Sequence, residues 1–277
     1  MDNVIPKISV IMPFYNAARF LDAAILSILN QTFTDFEFIV INDASTDNAD
    51  DIVKKYLYDQ RIVYIKNDHN LGIVANLNHG LRIATAPIIA RMDGDDVSDV
   101  TRLEKQFNFL INHPEVAAVG TYIKIIDTTD TVIDQRTKPT DFSHIKKDLI
   151  IYSPLVHATV MFRKQAIEVV GTYRPEYLYC EDLDLFYRLI YSGYRVSNIP
   201  EFLYHYRYHE HSVAHRSNIV AKKLFRLRHE TIKNFHLRPN LFQQAMIYLQ
   251  YVAGTIFSGR QRQRMEGFYK TIFYHGK

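Results

Sequence analysis

The 277-residue chain is 47% hydrophobic and 23% charged, with a formal net charge of +3, a balance that supports a packed core and excludes disordered and fibrous classes. A single cysteine, Cys180, excludes an internal disulfide, and with no leader pattern in the opening residues it points to a reducing, cytoplasmic setting. The longest apolar runs, 149–152 and 245–257, fall short of the roughly 20 residues that cross a bilayer. Charge is unevenly spread: from Arg216 onward there are 12 Lys/Arg and 2 Asp/Glu, a net of +10, which leaves residues 1–215 at −7. An acidic body suits a cation, and a basic, aromatic-rich tail suits an anionic surface, a phosphorylated acceptor or a partner.

In chain order, residues 8–14 form a largely apolar run, as expected of a strand buried on both faces. Helical spacing of apolar residues over 17–30 follows, then a strand at 36–41, a helix at 50–58 and a strand at 61–66. A helix at 72–84 and a strand at 88–92 complete a βα alternation that predicts a mostly parallel sheet with right-handed crossovers. After a helix at 99–112 the pattern changes. Strands are expected at 116–126, 131–136, 156–162, 195–199 and 202–208, a helix or loop at 142–152 and a helix at 181–192. From 217 the chain turns helical again, with breaks at Pro239 and Gly259. The division this suggests is a nucleotide-binding half at 1–98, an acceptor half at 99–215 and a basic helical extension at 216–277.

In an open parallel sheet, ligands bind beyond the carboxyl ends of the strands. The first strand ends in Pro13-Phe14-Tyr15-Asn16, the second in Asn42 to Asp47, and the fourth in Asp93-Gly94-Asp95-Asp96. Three carboxylates in four positions repel one another unless a cation sits among them, and oxygen-rich clusters suit Mg2+ or Mn2+, which bridge phosphates. A solvated acidic turn is the bland alternative. Neither a glycine-rich dinucleotide fingerprint nor a P-loop is present, so phosphate charge is left to metal and side chains.

Taken in order, Val10–Asn16 (VIMPFYN), Ser27–Phe33 (SILNQTF), Ile41–Asp47 (INDASTD), Asn70-Leu71-Gly72, Asp93–Asp96 (DGDD) and Glu181-Asp182 resemble the motif series of a family 2 glycosyltransferase, over about residues 8–212. The resemblance implies a GT-A fold: an α/β, Rossmann-like, mostly parallel central sheet with flanking helices, here followed by the C-terminal helical extension. It implies an inverting transfer of a sugar from a nucleotide-diphosphate sugar, of UDP type, to a glycan or lipid-linked acceptor, with Mn2+ or Mg2+ as cofactor. Pro13, Tyr15 and Asn16 would border the nucleotide, Asp43 would accept a hydrogen bond from a uracil imide, and Asn70 and Gly72 would lie nearby. Asp93 would approach ribose or metal, Asp95 would be the main metal ligand with Asp96 beside it, and Asp182 would be the general base, next to Glu181. The chain departs from the pattern at Leu77, where many members carry a basic residue near the diphosphate.

Asp182 also has a physical case of its own. Inversion needs the acceptor oxygen deprotonated on the face opposite the leaving group, and a positioned carboxylate does this. The competing reading is that Glu181 and Asp182 only complement the dipole at a helix start, and Asp184 is the alternative base. His157 and His209, with Arg207, are candidates for contact with metal or diphosphate, since neutral imidazole is a metal ligand; with 12 histidines in the chain, a structural role is the alternative for each. The tail reads either as a peripheral contact with an anionic membrane on the cytoplasmic face or as a helical cap on the body. It carries no recognisable nucleic-acid motif. Two other functions compete, a sugar-phosphate nucleotidyltransferase and a non-catalytic nucleotide-binding protein. The first needs a Gly-rich loop and a basic pair after the first strand, which Pro13 to Ala18 lack; the second leaves Asp93, Asp95 and Asp182 without a purpose.

Overall fold

The computed structural model describes residues 5–208 and 217–256. Strand β1 (Ile8–Phe14) is buried at every position, and β2 (Phe36–Asn42) nearly so. The two run parallel in register from Ile8↔Phe36 to Phe14↔Asn42. β3 (Ile62–Lys66) extends the sheet on one side and β4 (Ile88–Arg91) on the other, both in parallel pairing. Between them run α1 (Ala18–Leu29), α2 (Ala49–Lys54) and α3 (Ile73–Ile83). Apolar faces of α1 and α2 pack on one side of the sheet and that of α3 on the other, which buries both faces of the strands and explains their continuous apolar sequence.

Beyond β4 the sheet becomes mixed. β5 (Val97–Ser98) and α4 (Arg102–Asn112) lead into β6 (Val116–Ile126) and β7 (Val132–Arg136). Helix α5 (Phe142–Asp148), strand β8 (Met161–Arg163), α6 (Lys164–Val170), α7 (Glu181–Tyr191) and the long β9 (Arg195–Arg207) complete the body. The order across the sheet is β3-β2-β1-β4-β8-β6-β9-β5, with β7 paired to β6. β4 and β6 both run antiparallel to β8, whereas β6 and β9 run parallel. Two helices follow, α8 (Ser217–Asn234) and α9 (Leu241–Ile256), broken at Pro239 as expected. They join the core on the α3 face through Leu227, Met246 and Ile247. The expected break at Gly259 lies outside the described residues.

Several local expectations are corrected. Residues 156–162 are not one strand. His157–Thr159 form a single 3-10 turn before β8, because the Thr159 hydroxyl donates to the Val156 carbonyl and the Thr159 amide does the same, a local turn that competes with the ladder. The two strands expected at 195–199 and 202–208 are one. β9 absorbs Pro200 and Glu201 in an irregularity where Ile199 faces Thr121 and Phe202 faces Tyr122, the position where a proline is tolerated in a strand. Helix α6 was not expected, and α2 stops four residues short of its expected end at 58.

Close approach is required at Gly80 in α3. A Cβ there would lie 2.5 Å from Cγ2 of Ile11 in the centre of β1. We expect Gly80→Ala to lower stability by about 1–3 kcal/mol through overpacking, read from the midpoint of urea unfolding. An unchanged midpoint would mean that α3 slides freely on β1.

Candidate active site

The carboxyl ends of β1, β2 and β4 come together at one edge of the sheet. Their loops are laced by side chains: the Asn16 amide donates to Ser45 Oγ at 3.0 Å, Asn16 Oδ1 accepts from the Thr46 amide at 2.8 Å, and the Ala18 amide donates to Asp47 Oδ2 at 2.9 Å. Asn16 adopts a positive φ of 50° and Ala44 one of 59°, so both loops turn sharply just past their strands. Pro13 is buried in β1 opposite Ile41, while Tyr15 is 49% exposed beside the edge.

Asp43 ties the third loop to the second. Its Oδ1 accepts from the Leu71 amide at 2.8 Å and from Asn67 Nδ2 at 2.9 Å, and its Oδ2 accepts from the Gly72 amide at 2.9 Å. Burial raises its pKa, but hydrogen bonds from Asn76, Leu71, Asn67 and Gly72 outweigh that and hold the carboxyl below its usual range. Asn70 leans on the Asp43 carbonyl at 3.4 Å, and Gly72, at a φ of 82°, begins α3.

Past β4, the chain presents Asp93, Asp95 and Asp96 with one carboxylate oxygen from each inside a 4.8 Å cluster. Gly94 is what lets the turn lie this close, since a Cβ would fall 2.6 Å from Phe14 Cβ. The turn is braced from behind by Arg207 on β9, which is 2% exposed. Its Nε donates to the Asp95 carbonyl at 2.7 Å, its amide donates to Asp96 Oδ1 at 2.6 Å, and its Nη2 pairs with Asp130 at 2.6 Å. Asp96 Oδ2 is buried and has no hydrogen-bond partner. Burial pushes Asp96 well above the usual carboxylate range, with the charges of Asp95 and Asp93 adding to the rise. Such a cluster is strained as it stands, and its hard oxygen donors fit a divalent cation.

One cation is already present. Arg91, the last residue of β4, is 7% exposed and forms a bidentate pair with Asp93, both contacts at 2.5 Å. Burial pushes Asp93 upward while Arg91 pulls it back. The Arg91 charge also lowers Asp182 and Glu181, so it reaches the second acidic group at the start of α7. Leu77, at the position where a basic residue was missed, is buried and lines a small cavity with Arg91, Ile11 and Tyr173. Arg102 lies fully buried below, its Nη1 on the carbonyls of Arg91 and Ala158, and burial lowers its pKa to about 10. The sequence reading missed Arg91. Its signal was a lone charge closing the apolar strand Ile88-Ile89-Ala90.

In α7, Asp182 occupies the first turn with Glu181. Burial raises Asp182, opposed by the Leu183 amide and Arg91. Glu181 is pushed up to about 7, by burial first and then by the Asp182 charge. Asp184 is different: it is 1% exposed and clamped between Arg174 and Arg188, with Arg188 Nη2 at 2.8 Å. The Arg188 guanidinium also ties it to the 170–172 backbone, which is a structural use of the carboxylate. His157 is packed against Tyr173 and Phe186, with Nε2 2.8 Å from the Tyr173 hydroxyl. Burial and the Arg91 charge lower its pKa well below the ordinary value, so it is neutral and one ring nitrogen is taken. His209 lies outside the described residues.

Two expected outcomes follow from this electrostatic arrangement. Arg91→Met leaves the half-buried Asp93 without its partner, which costs about 3 kcal/mol. The melting temperature should fall steeply in chelator, and Mn2+ should restore more of it in the variant than in the wild type; equal metal effects in both would show that Arg91 and the cation do not share Asp93. Glu181 has a folded-state pKa near 7 against an ordinary 4.5, so the fold binds its proton more tightly than the unfolded chain. The stability it contributes is present below the unfolded value and is lost as pH rises through about 7. Glu181→Gln should therefore melt like the wild type below pH 4.5 and higher than it above pH 7; a shift that does not grow across that window contradicts the burial argument.

Residues 9–171 match the family model described as glycosyl transferase family 2. EpsE of Bacillus subtilis (strain 168) is 39% identical over 208 residues, covering 73% of each chain. The O-antigen biosynthesis glycosyltransferase WbnJ of Escherichia coli is 33% identical over 216 residues, covering 76% of this chain and 82% of its own. Among solved structures, residues 1–349 of S. aureus TarS in complex with UDP superpose with a TM-score of 0.69 at 20% identity, covering 91% of this chain and 72% of that one. The mannosyltransferase PcManGT of Pyrobaculum calidifontis, solved with GDP-Man and Mn2+, superposes with a TM-score of 0.64 at 17% identity, covering 98% and 82%. These two carry the GT-A fold. With the family model spanning more than half of its length, the chain belongs to glycosyl transferase family 2 and is a glycosyltransferase that uses a nucleotide-sugar donor.

Proposed function

We propose that the chain is an inverting glycosyltransferase that takes a UDP-sugar, holds Mn2+ or Mg2+ on Asp93, Asp95 and Asp96, and uses Asp182 as general base. The observation that carries this reading is the convergence of three carboxylates on one 4.8 Å cluster, one of them with a buried oxygen lacking a partner. A divalent cation bound there would supply positive charge against the departing diphosphate.

The chain's own groups account for the rest. Asp43 lies at the edge where Tyr15, Asn16 and the 70–72 turn converge, and its carboxylate would accept from the N–H of a uracil ring. Arg91 takes the place of the basic residue absent at Leu77, opposing protonation of Asp93 from inside the protein. Asp182 accepts the proton of the acceptor hydroxyl as its oxygen bonds to the anomeric carbon, and the bond from that carbon to the diphosphate oxygen breaks. Burial raises the proton affinity of Asp182, which strengthens a base as long as it stays ionised, and Arg91 opposes its protonation. Asp184 has no freedom for this task while two guanidiniums hold it. A glycan or lipid-linked hydroxyl is the acceptor, in keeping with the O-antigen role in the name of WbnJ.

Melting curves with UDP, in Mn2+ and in chelator, test the donor half. UDP should stabilise the wild type much more with metal, and Asp95→Asn should abolish that difference. Equal stabilisation in chelator removes the metal from the reading. Asp182→Asn should lower turnover by roughly 10²–10⁴-fold while UDP binding survives; near-normal transfer by this variant would remove Asp182 as the base.

A further inference from the structure

Helix α9 is uncharged on both sides. Its sequence from Leu241 to Ile256 contains no Asp, Glu, Lys or Arg. Met246, Ile247, Ala253 and Gly254 are buried toward the body. At 100° per residue the opposite arc collects Leu241, Phe242, Ala245, Tyr248, Leu249, Val252 and Ile256, and every one of them is exposed. Leu241 is 84% exposed, Ile256 68% and Tyr248 56%. A surface helix ordinarily turns charge outward, and one that is apolar all round is buried or meets something apolar. None of the described helices is long and apolar enough to cross a membrane, so this one can lie on a surface but not span it.

Cations flank the stripe. On α8, Lys222, Arg226, His229 and Lys233 recur at i, i+4, i+7 and i+11, one face of the helix. His229 lies edge-on to Tyr248 of the stripe, and Phe225 stacks near Tyr248 and Tyr251, so this basic face borders the apolar one. Lys222, Arg226, Lys233 and Arg238 are exposed. Beyond Ile256 the sequence adds five Lys/Arg, one Glu and five Phe/Tyr in 21 residues. A basic border with an apolar centre is the composition of helices that lie in the plane of a lipid interface.

We propose that the outward face of α9, bordered by the basic face of α8, docks the enzyme on an anionic lipid surface. Charge decides between occupants. A second copy would bring two basic borders face to face, which repel, whereas phosphatidylglycerol headgroups neutralise them and acyl chains receive Leu249, Val252 and Ile256. The proposal is independent of the metal and of Asp182, since no residue of the acidic cluster lies on either helix.

The full-length protein is tested by flotation with vesicles of phosphatidylcholine alone and of phosphatidylcholine mixed with phosphatidylglycerol, with sedimentation velocity alongside. Binding is expected to the mixed vesicles only, and to fall as salt rises. The double variant Leu249→Gln, Val252→Gln should keep the wild-type melting temperature and UDP response while its partitioning drops roughly tenfold or more. Lys222→Gln with Lys233→Gln should weaken binding and flatten its salt dependence. Three results overturn the proposal: no flotation with anionic vesicles at low salt, equal flotation by the Leu249/Val252 variant, or a wild-type dimer that this variant converts to monomer without any lipid binding, which would assign the face to a second copy.

Discussion

Two acidic groups at the heart of this enzyme depend on one buried guanidinium. Arg91 closes β4 beneath the acidic turn, holds Asp93 in a bidentate pair and extends its charge to Asp182 and Glu181. Burial raises the proton affinity of Asp93 and Asp182, and the Arg91 charge opposes that rise in each. The cost of burying a charge is offset here by pairing. Its benefit is a fixed positive charge that opposes protonation of the site before any ligand arrives.

The fold supplies this arrangement by converging strand ends that are far apart in sequence. β1, β2 and β4 run parallel, so all three carboxyl ends emerge at one edge, and the loops after them are pinned to one another rather than to solvent. Asn16 and Asp47 join the first loop to the second, and Asp43 joins the second to the turn before α3. Arg207 reaches from β9, more than a hundred residues later, to brace the backbone of Asp95 and Asp96. Carboxylates are thus distinguished by their partners: Asp184 is saturated by Arg174 and Arg188, whereas Asp96 retains an unpartnered oxygen.

The C-terminal hairpin has two roles in the same helices. Leu227, Met246 and Ile247 bury against the body, and Arg228 donates to the Ile151 carbonyl, so α8 and α9 are part of the architecture. The cap reading of the tail is met in this respect. Yet the surface that α9 turns outward is also apolar, which is why the hairpin's inner packing leaves its outer chemistry to be answered by something else.

Sequence by itself determined the βα alternation of the first ninety residues, because strands buried on both faces must be written as unbroken apolar runs and helices on those faces must repeat near every third or fourth residue. It also singled out Asp93, Asp95 and Asp96, since three carboxylates in four positions demand an explanation whatever surrounds them. What it left open was decided by contacts between residues distant in the chain. Whether 156–162 continues a strand depended on a hydroxyl turning back on its own backbone, and whether 195–208 is one strand or two depended on how β6 accommodates Pro200. The partners of each polar side chain were decided the same way. Tyr173 and Phe186 enclose His157, two arginines close on Asp184, and Arg91 went unnoticed because only the assembled sheet brings its charge to both acidic groups. Residue type states what a side chain can do; burial and partners, which only the tertiary structure supplies, determine which of those things it is free to do.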